Sequence, residues 1–258
     1  MLVEILPDYD ALSERAARLV SEEIRRCSLR TGRAVLGCAT GSTPIGLYQR
    51  LVAGDGEEGP DFSRVTTFNL DEYVGLSREH PQSYWRFMRE HLFDHVGIAD
   101  DRIHIPDGMA DDLDAACAAY EQSIEEAGGI DLQILGIGSN AHLAFNEPGS
   151  SLGSRTRVQT LTAKTLADNA RFFGEGETQP RTAVTMGLGT IMEARKLLML
   201  ASGTGKAAAV RDALEGPVTA LCPASVLQMH PHAHILLDEA AASALAYRHR
   251  DGIAEPKQ

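Results

Sequence analysis

Short apolar or β-branched runs alternate along the chain with longer stretches whose apolar positions recur every three or four residues. LVEIL (2–6), AVLGCA (34–39), VTTFNL (65–70), DLQILGIG (131–138), TAVTMG (182–187), KLLMLAS (196–202) and HILLD (234–238) read as strands. The segment DALSERAARLVSEEIRRC (10–27) places Leu12, Ala16, Leu19, Val20 and Ile24 on one helical face. Further helices are expected from near Pro44 and over 81–95, 111–127, 164–173 and 205–215. Several strands are apolar at nearly every position, the pattern of a parallel sheet covered on both faces. The predicted fold class is α/β: a mainly parallel central sheet flanked by helices on both faces, Rossmann-like in architecture, in a single domain spanning 1–258. No repeat, low-complexity tract or linker breaks the pattern, and GDGEEGPD (54–61) reads as a surface loop.

Composition narrows the function. Of 258 residues, 43% are hydrophobic, enough for a sizeable core, and the formal net charge is -12. An acidic chain lacks the basic face a duplex nucleic-acid binder needs, so no nucleic-acid partner is expected. A small phosphorylated ligand needs only a few cations in one pocket and stays open. No apolar run reaches the roughly 20 residues of a membrane span, and MLVEILPDYD is too acidic and too briefly apolar for a signal peptide. Cys27, Cys38, Cys117 and Cys222 lie far apart without paired spacing, as expected of free thiols in a cytoplasmic protein.

Ligands of open α/β sheets gather beyond the carboxyl ends of the strands, so the turns after the strands carry the candidate chemistry. In CATGSTPIGLYQRL (38–51), Gly41 permits a tight turn, Thr43 is placed to cap the helix and Pro44 suits its first position. This reads either as an ordinary capped turn or as an anion site built from Gly41, Ser42 and Thr43. In VTTFNLDEYVGL (65–76), Asp71 and Glu72 follow an apolar strand, where a carboxylate serves as a general base or merely caps a turn. SGTGKAAAVRDALEG (202–216) sets Lys206 at a helix start, a position unfavourable to the helix dipole unless the lysine meets an anion. Arg171, on the helix predicted over 164–173, is a surface arginine or a second phosphate contact.

The fourth turn lies in DLQILGIGSNAHLAFNEPGSS (131–151), where Asn140, His142 and Glu147 crowd behind an apolar strand. GIGSNA fits a dinucleotide fingerprint in letters alone. No helix opens after it and no acidic residue ends the next strand at the required distance, so no dinucleotide is expected. His230, His232 and His234 alternate in HPHAH, but Pro231 interrupts the strand and no carboxylate or thiolate accompanies them; no metal is expected.

Taken together, ATGSTPIGLY, FNLDEY, HPQSYWRFMREHLF, LGIGSNAHLAFNEPGSS, SRTRVQTLT, NARFF, SGTGKA and LQMHP resemble, in order, signatures of the glucosamine/galactosamine-6-phosphate isomerase family, over roughly residues 1 to 240. The resemblance implies ring opening, aldose–ketose isomerisation and deamination of glucosamine 6-phosphate, with water, to fructose 6-phosphate and ammonia, without metal or organic cofactor. By the same resemblance, Asp71 moves a proton between C2 and C1, His142 acts on the ring oxygen and Glu147 is its carboxylate partner. Gly41, Ser42, Thr43, Arg171 and Lys206 match the phosphate contacts.

Two departures stand out. Many members read Asp-Gly-His where this chain has Asn140, Ala141 and His142, so Asn140 orients the imidazole and Glu147 alone supplies negative charge. Allosteric members bind an effector at a subunit interface in the region of Ser150, Arg157 and Thr160. Gln159 stands where a lysine is typical of them, so a monomer or homo-oligomer without allostery is expected. The alternatives are galactosamine 6-phosphate as substrate, a 6-phosphogluconolactonase, or a non-catalytic sugar-phosphate sensor. The last would carry a helix-turn-helix segment that this chain, opening on its first strand, is expected to lack.

Overall fold

The computed structural model describes residues 1–54, 59–174, 177–250 and 253–256. The middle of the expected 54–61 loop lies outside them. Elements follow in the order β1 (Leu2–Leu6), α1 (Tyr9–Thr31), β2 (Ala34–Cys38), α2 (Ile45–Ala53), β3 (Val65–Asn69), β4 (Asp71–Tyr73), α3 (Tyr84–His91), β5 (Ile103–His104), α4 (Leu113–Glu126) and β6 (Leu132–Leu135). Then come β7 (Arg157–Thr160), α5 (Ala163–Asn169), β8 (Thr182–Thr185), α6 (Leu188–Met192), β9 (Leu197–Ala201), α7 (Ala207–Glu215), β10 (Ala233–Asp238), β11 (Tyr247–Arg250) and β12 (Ile253–Pro256).

Seven strands form one parallel sheet in the order β1-β10-β9-β6-β2-β3-β5. Every residue of β2, β6 and β9 is buried although successive side chains point to opposite faces, so helices and loops cover the sheet on both sides. α1 lays Leu12, Ala16, Val20, Ile24 and Cys27 into this core. It starts on Asp8, whose carboxylate accepts the Ala11 N–H at 2.8 Å, and stops at Gly32 in the left-handed region (φ 76°). On the far face, Tyr120 of α4 meets Phe68 of β3 edge-on at 5.7 Å. Chain order reverses between β2 and β6, so the crevice above their carboxyl ends is the topological switch point.

The expected strand 182–187 does not join this sheet. β8 pairs antiparallel with β4 and β7 in a separate three-stranded sheet. Leu70 links the two sheets: its N–H donates to the Cys38 carbonyl and its carbonyl accepts from Met186 N–H. The expected helices 81–95 and 164–173 are shorter than their patterns, each continuing as a 3₁₀ turn, at Phe93–His95 and Ala170–Phe172. Thr43 does not cap α2, which has no side-chain cap of its own. Instead Tyr9 Oη accepts the Gly46 N–H at 2.8 Å and donates to the Thr43 carbonyl at 3.0 Å. A partner brought from α1 thus satisfies the helix start and leaves the Thr43 hydroxyl free.

The three alternating histidines do not share a strand face. His230 precedes β10 and its Nε2 contacts the Ala194 carbonyl, whereas His234 lies on β10 beside Glu4. Among the described residues, no group of three His, Cys, Asp or Glu side chains is arranged to hold a metal ion, and no helix is long and apolar enough to cross a membrane.

Candidate active site

A cavity of about 490 Å³ opens above the switch point, within the usual range for small-molecule sites. It is lined by Gly41, Ser42 and Thr43 after β2, Asp71 on β4, His142 after β6, Arg171 after α5 and Lys206 before α7. Four separate strand ends therefore converge on one space. Asn140 and Glu147 lie behind His142 and do not line the cavity.

Gly41 has φ 92°, a conformation that turns the chain toward α2 and that side chains rarely adopt. On the opposite side, Lys206 ends the turn after β9 and is half-buried. Burial lowers its pKa; Asp168 opposes that effect, while Arg171 and Lys164 add to it. Arg171 sits on the 3₁₀ turn rather than on α5, its guanidinium 4.8 Å over the Phe172 ring. Neither Lys206 nor Arg171 forms an ion pair among the described residues, so two cations face a cavity without an anionic partner.

Asp71 and Glu72 show how one residue step on a strand separates two roles. Asp71 points into the cavity, and burial, with the Glu72 charge second, pushes its carboxyl up to about 8. Glu72 points the other way and accepts three backbone N–H groups, from Tyr73 at 2.9 Å and from Tyr84 and Trp85 at 3.0 Å each. Burial raises its pKa to about 6 against the opposing pull of those bonds. The capping role weighed for Asp71 as the alternative to a base falls to Glu72, at the start of α3.

His142 is presented by a tight turn. Gly138 N–H donates to the His142 carbonyl and Ala141 N–H to the Gly138 carbonyl, both at 3.0 Å. The turn carries Ala141 into the left-handed region at φ 63°. The imidazole lies directly over Gly138: a Cβ there would sit 2.4 Å from Cε1 and Nε2. Nδ1 of His142 is 3.6 Å from Oε2 of Glu147, beyond hydrogen-bond length but within ion-pair range. That leaves Nε2 as the nitrogen free for chemistry. Burial raises the pKa of Glu147, but His142, Thr165, Thr162 and Asn140 together outweigh it and hold the carboxyl at about 2.

Tyr73, Tyr84, Phe145 and Phe173 wall the cavity beside Asp71, the ring of Tyr73 lying 5.1 to 5.8 Å from the other three. Asn169 Nδ2 donates to Tyr73 Oη at 3.0 Å, tying the end of α5 to β4. The expected effector residues also meet, but away from this cavity. One guanidinium nitrogen of Arg157 donates to Ser150 Oγ at 3.1 Å and to Gln159 Oε1 at 2.9 Å, while Gln159 Nε2 donates to the Thr160 carbonyl. The sequence reading missed Tyr9, Tyr84 and Asn169. The aromatic residues in SYW and NARFF were visible, but nothing in their spacing says which strand end they face.

A model of the family described as glucosamine-6-phosphate isomerases/6-phosphogluconolactonase matches residues 7–236. The chain belongs to this family. A glucosamine-6-phosphate deaminase of Shewanella loihica is 53% identical over 253 residues, covering 96% of this chain and 93% of the relative. One from Thermoanaerobacter pseudethanolicus is 49% identical over 243 residues, covering 94% of each. A solved structure of a monomeric glucosamine-6-phosphate deaminase has 44% identity and a TM-score of 0.90, covering 95% of this chain and 100% of its own. The 6-phosphogluconolactonase of Trypanosoma cruzi, at 20% identity and a TM-score of 0.76 over 95% of this chain and 96% of its own, shares the fold.

Proposed function

We propose that this chain converts glucosamine 6-phosphate and water to fructose 6-phosphate and ammonia. The observation that carries the reading is the arrival of Asp71 and His142 at one cavity with the cations Arg171 and Lys206, which form no ion pair among the described residues. Deaminases at about half identity over most of the chain support it against the lactonase and sensor alternatives.

The Gly41–Thr43 turn, Arg171 and Lys206 hold the phosphate, whose binding energy fixes the distant C1 and C2 against Asp71. His142 relays a proton from the C1 hydroxyl to the ring oxygen, opening the pyranose, and Glu147 steadies the imidazolium formed on the way. Asn140, expected to orient the imidazole, instead donates to Glu147 Oε2 at 2.8 Å and orients that carboxylate. Asp71 then takes the C2 proton and returns it to C1. A proton given up by the C2 ammonium meanwhile reaches the C1 oxygen, leaving a C1 hydroxyl and a protonated C2 imine. The resulting C2 imine adds water and loses ammonia. Burial, with the Glu72 charge second, disfavours the charged form of Asp71 and raises its pKa to about 8. A protonated amine on C2 brings a cation beside Asp71 and favours the carboxylate. An amino sugar thereby activates its own base.

The reading takes residues 1–258 as one domain and needs no cofactor. Arg157, satisfied by Ser150 and Gln159, supports a monomer or homo-oligomer unresponsive to an effector. The four free cysteines support a cytoplasmic location. Ammonia and fructose 6-phosphate are measured from glucosamine 6-phosphate for wild type and Asp71→Asn. Turnover by wild type that collapses at least about 10²-fold in the variant supports the reaction and the base. No turnover by wild type overturns it, and galactosamine 6-phosphate and 6-phosphogluconolactone are then assayed in turn.

A further inference from the structure

Asp238 ends β10, one strand over from the turn that presents Lys206, and is nearly fully buried at 5% exposure. It does not line the cavity and plays no part in the mechanism above. Its two oxygens are nonetheless fully engaged. Oδ2 accepts the Ser202 hydroxyl and, at 3.0 Å, the Gly203 N–H. Oδ1 lies 3.1 Å from the same Gly203 N–H and accepts Ala241 N–H at 2.7 Å.

Gly203 is where this matters. Its backbone has φ 89° and ψ 152°, a region essentially reserved for glycine, which turns its N–H inward toward β10. An inward N–H left without an acceptor carries the cost of a buried unmade hydrogen bond. The Gly203 carbonyl in turn accepts the Lys206 N–H at 3.0 Å. Gly203 thus stands between the two, its N–H held by the Asp238 carboxylate and its carbonyl holding the Lys206 N–H.

We infer that Asp238 is a positioning residue for anion binding: it holds the Ser202–Lys206 turn in the shape that delivers Lys206 to the cavity. This rests on the phosphate-binding part of the proposed function. Its charge is spent on donors behind the turn, so it braces an anion site without facing the anion.

The test is a double-mutant cycle of Asp238→Ala and Lys206→Ala in the full chain, read by the Kd for inorganic phosphate and by KM and kcat for glucosamine 6-phosphate. Asp238→Ala weakens phosphate binding and raises KM about tenfold, with a much smaller change in kcat. In the Lys206→Ala background the same substitution adds little, because the residue it positions is gone. Asp238→Asn, which keeps one acceptor oxygen, recovers part of the affinity and serves as the test variant if Asp238→Ala does not fold. An unchanged Kd with only a lower Tm, effects that add fully across the cycle, or a wild type that does not bind phosphate each overturn the inference. A wild type inactive on amino sugar phosphates whose phosphate affinity still follows the cycle overturns the proposed reaction and leaves the role of Asp238 standing.

Discussion

Asn140 Nδ2 donates at 2.8 Å to Oε2 of Glu147, the same oxygen that stands 3.6 Å from Nδ1 of His142. The other carboxylate oxygen accepts the Thr162 N–H and hydroxyl, each at 3.1 Å. Glu147 is therefore fixed on both sides and brings a negative charge to the imidazole from behind, the one ion-pair partner of His142 among the described residues. Glu147→Gln keeps the shape and removes the charge, so kcat falls about 10²-fold while KM changes little. The variant also loses stability that depends on pH. With a folded pKa of about 2 against 4.5 for the free group, the Glu147 contribution is complete above pH 4.5 and lost as pH falls toward 2. Steady-state kinetics and acid unfolding followed side by side check both; unchanged turnover refutes the assignment of Glu147.

The sign is opposite for Asp71. Its carboxyl, about 8 when folded against 3.8 free, binds its proton more tightly in the folded state. Its contribution to stability is therefore greatest below pH 3.8 and declines as pH rises toward 8. Asp71→Asn removes this penalty, and Tm of the ligand-free variant exceeds that of wild type at pH 8.5 by more than it does at pH 5. A thermal series across that range decides it, and a gap that does not grow with pH contradicts the burial of an uncompensated charge.

Gly138 tests whether imidazole placement matters as much as imidazole chemistry. A methyl at this position would stand 2.4 to 2.5 Å from three ring atoms of His142, so the ring must move. Gly138→Ala lowers kcat by about 10²-fold, the usual effect of a displacement near 1 Å in a catalytic group, and leaves the fold intact. Full activity in this variant would mean that the ring has room the structure does not show.

Ala141 carries a strained backbone at φ 63° and a buried methyl group. Ala141→Gly relieves strain of about 1 kcal/mol and loses a similar amount in methyl burial and unfolded-state entropy. Denaturant unfolding is expected to shift by less than about 1 kcal/mol, in contrast to the clear loss that burial alone predicts. A loss well beyond that places no strain at this turn.

The parallel sheet was legible because β2, β6 and β9 are apolar at nearly every position, and only a strand covered on both faces tolerates that. The four turns of the site followed from the strand ends. The small sheet was not legible: β4 is three residues with two carboxylates, and its strand character comes from pairing with β8, far along the chain. β5, with two residues, and α6, with five, are too short to show a period. Thr43 looked like a cap because local rules cannot anticipate that Tyr9 arrives from another helix. Arg171 was expected on a helix and lies on a 3₁₀ turn, because α5 tightens at Ala170 without a glycine or proline to announce it.

Leu70 holds one sheet through its N–H and the other through its carbonyl. Asp71 belongs to the small sheet, whereas the turns that carry Gly41–Thr43 and Lys206 rise from the large one. Phe145 N–H on Thr185 Oγ1 and Asn146 Nδ2 on the Met186 carbonyl add to the Leu70 link. On the proposed reading, the seating of the small sheet is in effect a ruler for the span between the phosphate and the carbon that Asp71 deprotonates. On that reading, sugar phosphates a carbon shorter or longer seat their phosphate at the same turns and present the wrong carbon to Asp71.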